Sequence, residues 1–231
     1  MSELTRPRHR AVIRALKALD ARFLERAHCY FGGGTRIVLA LGEYRESADV
    51  DLLCASREGY RALRSAVSSR SLGRVASSRI GLLREVLADR YGIRTILDIG
   101  GEPLKFEIIL EGRIDLSGGR EDGLPVPALD ARSCFAEKFL ANADRWNDES
   151  VLGRDVIDLS FMAVRWGREP LHEGFALASA AYGRTARAAA RRAATKLLER
   201  AAWRRRCVAA LNVSDTRTLV SGARILAGRK W

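Results

Sequence analysis

Two carboxylates follow a run of glycines in the stretch from Tyr30 to Leu53, YFGGGTRIVLALGEYRESADVDLL. Asp49 and Asp51 alternate with apolar residues, which predicts a strand that places both carboxylates on one face, about 7 Å apart. Two like charges this close repel each other unless a cation lies between them. Paired oxygen ligands suit Mg²⁺, usually together with substrate phosphates. The pair therefore predicts a divalent metal site.

The glycine run at 32–34 predicts a phosphate site just upstream. Glycine permits positive φ and close approach of the backbone to a ligand. Thr35 then opens a predicted helix, whose first N–H groups are unpaired and attract anions. With Arg45 and Ser47 between the turn and the acids, the pattern favours metal-dependent nucleotidyl transfer. The alternative is a tight turn followed by a solvated strand end.

Two other glycine motifs do not match. A P-loop requires Gly-Lys-Ser/Thr, whereas Thr35 and Arg36 follow Gly34. The dinucleotide-binding fingerprint requires a third glycine where the chain has Ile37.

A predicted hairpin supplies a third carboxylate. Residues 94–99 and 104–110 have strand composition and flank the turn 100–103. If the second strand lies beside that of Asp51, Glu107 reaches the same cluster, where two metal ions need more ligands than two acids provide. The alternatives are that Glu107 pairs with a basic residue across the strands, or that Asp98 takes its role.

The motif resembles the signature of the AbiEii/AbiGii-type nucleotidyltransferases of the DNA polymerase β-like superfamily, which include the MenT toxins. The resemblance lies in Gly33, Gly34, Thr35, Gly42, Arg45, Ser47, Asp49, Asp51 and Leu52. It implies an α/β (α+β) fold, in which a polymerase β-like palm with a mixed sheet precedes a C-terminal helical bundle. It also implies the toxin of a bacterial type IV toxin–antitoxin system, with a cognate antitoxin.

The resemblance extends to two helices further along the chain. Lys138 matches a family lysine, which implies a triphosphate-binding role, although a lysine among core residues more often lies at the core rim. Asp155 and Asp158 match an Arg-Asp-x-x-Asp-Leu string, which implies a catalytic role for Asp155. The helix dipole is the simpler explanation of Asp155.

These observations combine into one set of site residues. Asp49, Asp51 and Glu107 are predicted to bind two Mg²⁺ ions, with Mn²⁺ as an alternative, and Lys138 and Asp155 complete the catalytic set. The NTP substrate is predicted to contact Gly33, Gly34, Thr35, Arg45, Ser47 and Lys138.

The charge of the chain indicates a polyanionic partner. The 231 residues carry a net charge of +12, and the pI is near 10.3. An Ala- and Arg-rich segment, 185–206, supplies the nucleic-acid-binding candidates Arg191, Arg192, Lys196, Arg204 and Arg205. The alternative is a solvated basic helix face. RNA, in particular a tRNA 3′ end, is the favoured acceptor of the transferred NMP.

Other functions stay open at this stage: a small-molecule (antibiotic) nucleotidyltransferase, a protein-NMPylating enzyme, or a catalytically idle binding module. Scattered cysteines, the lack of a leader and the lack of a membrane span predict a cytoplasmic protein. The predicted domains are a nucleotidyltransferase domain, 1–122, and a helical domain, 123–231, that closes the nucleotide cleft. Helices are predicted over 7–28, 55–69, 130–146 and 185–206, and residues 81–91 fit either a helix or a strand entry.

Overall fold

The computed structural model describes residues 4–228 and divides into two compact units. Among the described residues, the first unit contains 4–39 and 47–130, and the second contains 40–46 and 131–228. The second unit thus begins later than the predicted boundary at 122/123 and also includes a short segment from the glycine-turn region. That segment belongs to the second unit because the side chains of Tyr44 and Arg45 contact the helix that carries Asp158.

The first unit is built on a mixed sheet. Its strands are β1 (Cys29–Phe31), β2 (Val50–Cys54), β3 (Gly81–Leu82), β4 (Leu87–Ala88), β5 (Gly92–Ile99), β6 (Glu102–Leu110), β7 (Gly118–Gly119) and β8 (Ala128–Leu129). The strand order is β3-β5-β6-β2-β1-β8-β7, and β4 also pairs with β5. The β5–β6 hairpin and the adjacent β2–β6 pair confirm the predicted arrangement.

One face of this sheet is covered by apolar side chains. Val50, Leu52, Phe106 and Ile108 are fully buried, and residues that alternate with them must point to the other face. The helices of the unit are α1 (Pro7–Lys17), α2 (Ala21–Arg26), α3 (Gly33–Ala40) and α4 (Arg57–Ala66). Val12 and Leu16 of α1 belong to the same core as the strands.

The second unit is helical. It contains α5 (Ala131–Arg145), α6 (Arg154–Arg165), α7 (Arg168–Tyr182), α8 (Thr185–Glu199), α9 (Ala201–Ala210) and α10 (Thr216–Ala227). Close approach of α10 to α6 depends on Gly222, because a Cβ there would lie 2.0 Å from the Ser160 carbonyl oxygen. Within the described residues, no helix is long and apolar enough to cross a membrane.

Two predicted helices are interrupted, which corrects the sequence interpretation. The helix predicted over 7–28 breaks into α1 and α2, because Asp20 adopts an extended conformation and its carboxylate caps α2 at the Phe23 N–H. The helix predicted over 185–206 breaks at Arg200, whose backbone leaves the helical region (φ −97°, ψ 84°). Residues 81–91 form the short strands β3 and β4, which decides that open prediction in favour of the strand.

Candidate active site

Asp51 and Glu107 lie side by side on neighbouring strands. The strands β2 and β6 run parallel and pair Asp51 with Glu107, between the buried pairs Val50–Phe106 and Leu52–Ile108. Both carboxylates therefore project from the sheet face opposite the apolar core, from strands about 5 Å apart. Asp49 immediately precedes β2. The predicted juxtaposition of the strands that carry the acids is thus present in the fold.

Glu107 has two basic partners. Arg94, its register partner on β5, donates from Nε at 2.6 Å, and Lys105 donates from Nζ at 3.0 Å. Burial raises the pKa of Glu107, but the hydrogen bonds from Lys105 and Arg94 outweigh burial and lower it overall. Glu107 is therefore ionised at neutral pH, and it makes the cross-strand ion pair that the sequence left as its alternative role.

Asp98 does not compete with Glu107 for a place beside Asp51. It pairs with Pro103 on β6, four residues before Glu107, and its carboxylate accepts a hydrogen bond from the Gly101 N–H in the hairpin turn. Four residues along a strand correspond to about 13 Å.

The donor chemistry around Asp51 fits a hard divalent cation. Burial lowers the pKa of Lys105, but its hydrogen bond to Glu107 and the negative charges of Glu107, Asp51 and Asp49 raise it overall. The region thus stabilises a cation already. Over residues 4–228, however, no group of three or more His, Cys, Asp or Glu side chains is assembled closely enough to hold a metal ion. Glu107 would have to exchange its contacts with Lys105 and Arg94 to join the two aspartates.

The glycine turn lies directly against Asp51. Helix α3 begins at Gly33, which has φ = +67°, and a Cβ built there would come within 2.3 Å of the Asp51 Oδ2 atom. The N–H of Gly32 donates to the Asp51 carbonyl oxygen at 2.8 Å. Gly34 is the second residue of α3, so the helix N-terminus, which attracts anions, begins beside a carboxylate that can bind the cation of a metal–nucleotide complex.

Thr35 and Ser47 also meet in this unit. Their hydroxyl oxygens are 2.9 Å apart, and Thr35 is fully buried. The N–H of Ser47 donates to Nε2 of the buried His9 at 3.3 Å. This hydrogen bond makes Nε2 an acceptor and fixes the loop that precedes Asp49 against the start of α3.

Arg45 has a different environment from its neighbour Ser47. Its guanidinium donates to both carboxylate oxygens of Asp158 on α6, from Nε and Nη2, each at 2.7 Å. The Tyr44 hydroxyl donates to Asp158 Oδ1 at 2.5 Å, and the Tyr44 ring stacks on Phe161 with centroids 3.8 Å apart. Burial and then the charge of Asp158 raise the pKa of Tyr44 well above its usual value. The segment around Arg45 is therefore fixed to α6.

Lys138 completes this buried ionic network. Its ammonium lies 3.0 Å from Asp155 Oδ1 and 2.8 Å from Asp158 Oδ2. Burial lowers the pKa of Lys138, but the charges of Asp158 and Asp155 raise it overall. Asp155 also accepts two hydrogen bonds from Arg145. Burial raises the pKa of Asp155, yet Lys138 and Arg145 hold it well below its usual value.

Three members of this network are absent from the predicted site: Tyr44, Arg145 and Asp158. The sequence did point to Asp158, as the neighbour of Asp155 on one face of a helix, but assigned it no role of its own. Arg145 and Tyr44 had no distinguishing pattern, since their roles depend on tertiary contacts.

The predicted nucleic-acid-binding residues divide between two helices. Arg191, Arg192 and Lys196 lie on α8, whereas Arg204 and Arg205 lie on α9. Arg204 donates from Nη1 to the carbonyl oxygens of Leu197 and Leu198 at 2.7 and 2.9 Å. It therefore satisfies carbonyl groups at the end of α8.

Comparisons with known proteins concern the family and the fold of the whole chain. A family model described as "Nucleotidyl transferase AbiEii toxin, Type IV TA system" matches residues 14–215. Among solved structures, the chain resembles a crystal structure of a protein from H. pylori that carries a provisional assignment as a nucleotidyltransferase. The TM-score is 0.56 at 16% identity, covering 95% of this chain and 93% of the other, so this likeness concerns the fold alone. No curated protein sequence matches the chain.

Proposed function

Since the chain belongs to the AbiEii family of nucleotidyltransferase toxins of type IV toxin–antitoxin systems, we propose that it transfers NMP from an NTP to RNA in a divalent-metal-dependent reaction. The observation that carries the proposal is the contact of the Gly33 turn with the Asp51 carboxylate, beside Glu107 in register. The proposed phosphate site and the proposed metal site therefore lie next to each other within the first unit.

Asp49 and Asp51 are the proposed metal ligands, and Glu107 is the third. Bound Mg²⁺ ions would supply charge stabilisation for the attacking and leaving oxygens of the phosphoryl group. The lowered pKa of Glu107 keeps its carboxylate ionised but makes it a weak base, so we assign it as a ligand. Glu107 would complete the set of metal ligands by exchanging its contacts with Lys105 and Arg94 for the metal.

The chemistry at this site is an in-line displacement at the α-phosphorus. The acceptor hydroxyl oxygen forms a new bond to that phosphorus, the bond to the bridging oxygen of the β-phosphate breaks, and pyrophosphate leaves. The proton of the hydroxyl passes to solvent water. The N-terminus of α3 at Gly33 and Gly34 holds phosphate oxygens through backbone N–H groups, and the Thr35–Ser47 contact keeps the turn in place.

The roles of Lys138 and Arg45 in binding the triphosphate, and of Asp155 in catalysis, stay predictions. Each of these groups has buried ionic partners within the helical unit. Their contacts support a structural role, in which oppositely charged side chains hold α5, α6 and the segment at 40–46 together.

RNA is the proposed acceptor because the net charge of +12 favours a polyanion over a cationic antibiotic. A tRNA 3′ end is the specific case that we propose. A cognate antitoxin follows from the family.

The test is transfer of label from α-³²P-labelled NTPs to RNA. We expect Asp51→Asn to reduce transfer on the order of 100-fold or more, because a metal ligand supplies several kcal/mol of transition-state stabilisation. Asp122→Asn is the matched control, since Asp122 is an exposed acid of the same unit. EDTA should abolish transfer, and added Mg²⁺ or Mn²⁺ should restore it.

Fractionation of the labelled material identifies the acceptor. Label in tRNA supports the proposal. Label found only in protein or only in small molecules would show that this class of molecule, and not RNA, is the acceptor. Undiminished transfer by Asp51→Asn would refute the assignment of the active site.

A further inference from the structure

Helix α8 has two faces of opposite character. Its buried face consists of small residues, among them Ala186, Ala190 and Ala194, with Leu197 at the end. Small side chains allow neighbouring helices to approach closely, and α8 packs against α10, α5 and α7. The long cationic side chains of Arg191 and Arg192 are consequently on the exposed face.

These cations surround a cleft and are not spread over a convex surface. The cleft has a volume of about 560 Å³ and is lined by four cationic side chains, one carboxylate (Glu199) and the ring of Trp146. The cations are Arg191, Arg192, Lys196 and Arg200. Trp146 comes from the segment just after α5, so two parts of the helical unit converge on the cleft.

The cations differ in how they are already engaged. Lys196 bonds to Glu149 at 2.9 Å and lies over the Trp203 ring at 4.5 Å. Arg192 lies over the half-buried Trp146 ring, with its guanidinium carbon 5.8 Å from the centroid. Arg191 and Arg200 are exposed and make no ion pair in the part of the chain that the structure describes. Both have donors available for a ligand.

From this arrangement we infer that the cleft binds a single-stranded segment of the RNA acceptor. Arg191 and Arg200 bind two different phosphates of the strand, and a base stacks on Trp146. This inference rests on the proposed function, and it assigns a surface for the RNA within the helical unit.

The dimensions and composition of the cleft favour a nucleic-acid strand over a single phosphate group. The stretch of α8 from Arg191 to Glu199 is roughly 12 Å long at 1.5 Å per residue, which is enough for more than one nucleotide. Phosphate-binding cations beside an aromatic platform are typical of single-strand recognition, because every base can stack. An acidic polypeptide would use the cations but would have no equivalent use for the Trp146 ring.

The test is binding of a fluorescein-labelled 12-nucleotide single-stranded RNA to the full chain, followed by anisotropy at several salt concentrations without NTP. Each phosphate contact contributes about 0.7 to the slope of log K against log salt for single strands. We expect Arg191→Gln/Arg200→Gln to reduce the magnitude of that slope by about 1.4. The matched control is Arg168→Gln/Arg217→Gln, which removes two exposed arginines of the same unit outside the cleft and should leave the slope unchanged.

Trp146→Ala provides a second, independent readout. Loss of one stacked base should weaken binding about 5- to 160-fold with little change in the salt slope, because no charge is removed. Circular dichroism and thermal melting establish that the variants are folded.

The outcomes separate this inference from the proposed function. Asp51→Asn should lose label transfer, and the double cleft substitution in that background should still reduce the salt slope by about 1.4, so loss of catalysis does not imitate loss of the cleft. Wild-type binding and salt slope in the double cleft variant would overturn the inference even if label transfer to RNA is observed. Equal competition by poly-L-glutamate, matched in charge, would overturn it in favour of a general polyanion surface.

Discussion

Replacement of Gly33 by alanine tests whether the glycine turn and the Asp51 carboxylate act as one site. An added Cβ would lie 2.3 Å from Asp51 Oδ2 and 2.9 Å from its Cβ, whereas ordinary contacts begin at 3.4 Å. The carboxylate would therefore have to retreat by about 1 Å, the displacement that can cost about 100-fold in rate. We expect Gly33→Ala to lower label transfer by that order.

Backbone strain accompanies this steric effect and must be measured separately. Gly33 has φ = +67°, and a left-handed conformation costs a residue with a Cβ roughly 1–2 kcal/mol. For a chain of this length, that cost corresponds to a fall in melting temperature of about 2–8 °C. The folded protein should survive the substitution at assay temperature.

Gly100 provides the matched control. It has the same φ of +67°, but nothing lies within 4 Å of a Cβ built there. Gly100→Ala should lower the melting temperature to a similar extent and leave label transfer intact. Equal activity of the two variants would show that the contact between the turn and Asp51 has no catalytic importance, and our account of the site would then be wrong.

Two further predictions concern the buried ionic network of the helical unit. Asp158→Asn leaves the buried cations Arg45 and Lys138 without their shared carboxylate, and we expect a loss of about 3–5 kcal/mol in urea unfolding; a loss within about 0.5 kcal/mol, the range expected for the surface variant Asp122→Asn, would contradict this. The second prediction is a pH dependence. The folded-state pKa of Asp155 is depressed, so its contribution is present above the unfolded value near 3.9 and is lost as pH falls toward the folded value. The stability difference between the wild-type chain and Asp155→Asn should therefore shrink below about pH 4, and a difference that is constant from pH 6 to pH 3 would refute the assignment.

The sheet that carries the acids could be predicted because its signals are local. Alternation with buried residues fixes the face of Asp51 and Glu107, and the turn at 100–103 fixes the hairpin. The parallel pairing of β2 with β6 is a long-range contact. The sequence supported it only indirectly, because this pairing would bring a third carboxylate, Glu107, to the predicted metal site. The sequence predicted that a basic residue across the strands could pair with Glu107, but it did not identify Arg94 as that residue.

The helical unit was less predictable. The broken helices of both units depend on single residues: a capping carboxylate at Asp20 in the first unit and a non-helical backbone at Arg200 in the second. Arg204 is part of a continuous basic run in the sequence, yet its side chain closes the end of α8. Composition alone could not distinguish such a capping arginine from Arg191, which is exposed beside the cleft.

Arg45 and Ser47 show why a motif does not determine the role of each of its residues. They are two positions apart, and the sequence assigned both to phosphate. The hydroxyl of Ser47 contacts Thr35 in the sheet unit, whereas both ends of the Arg45 guanidinium are used by Asp158 in the helical unit. The Arg45 guanidinium already binds a buried carboxylate through two of its nitrogens. It could bind a nucleotide only by breaking this ion pair, which would leave the buried charge of Asp158 partly uncompensated. The contacts therefore favour Arg45 as the residue that fixes the 40–46 segment to α6, and we assign the proposed phosphate contacts to the backbone of the glycine turn.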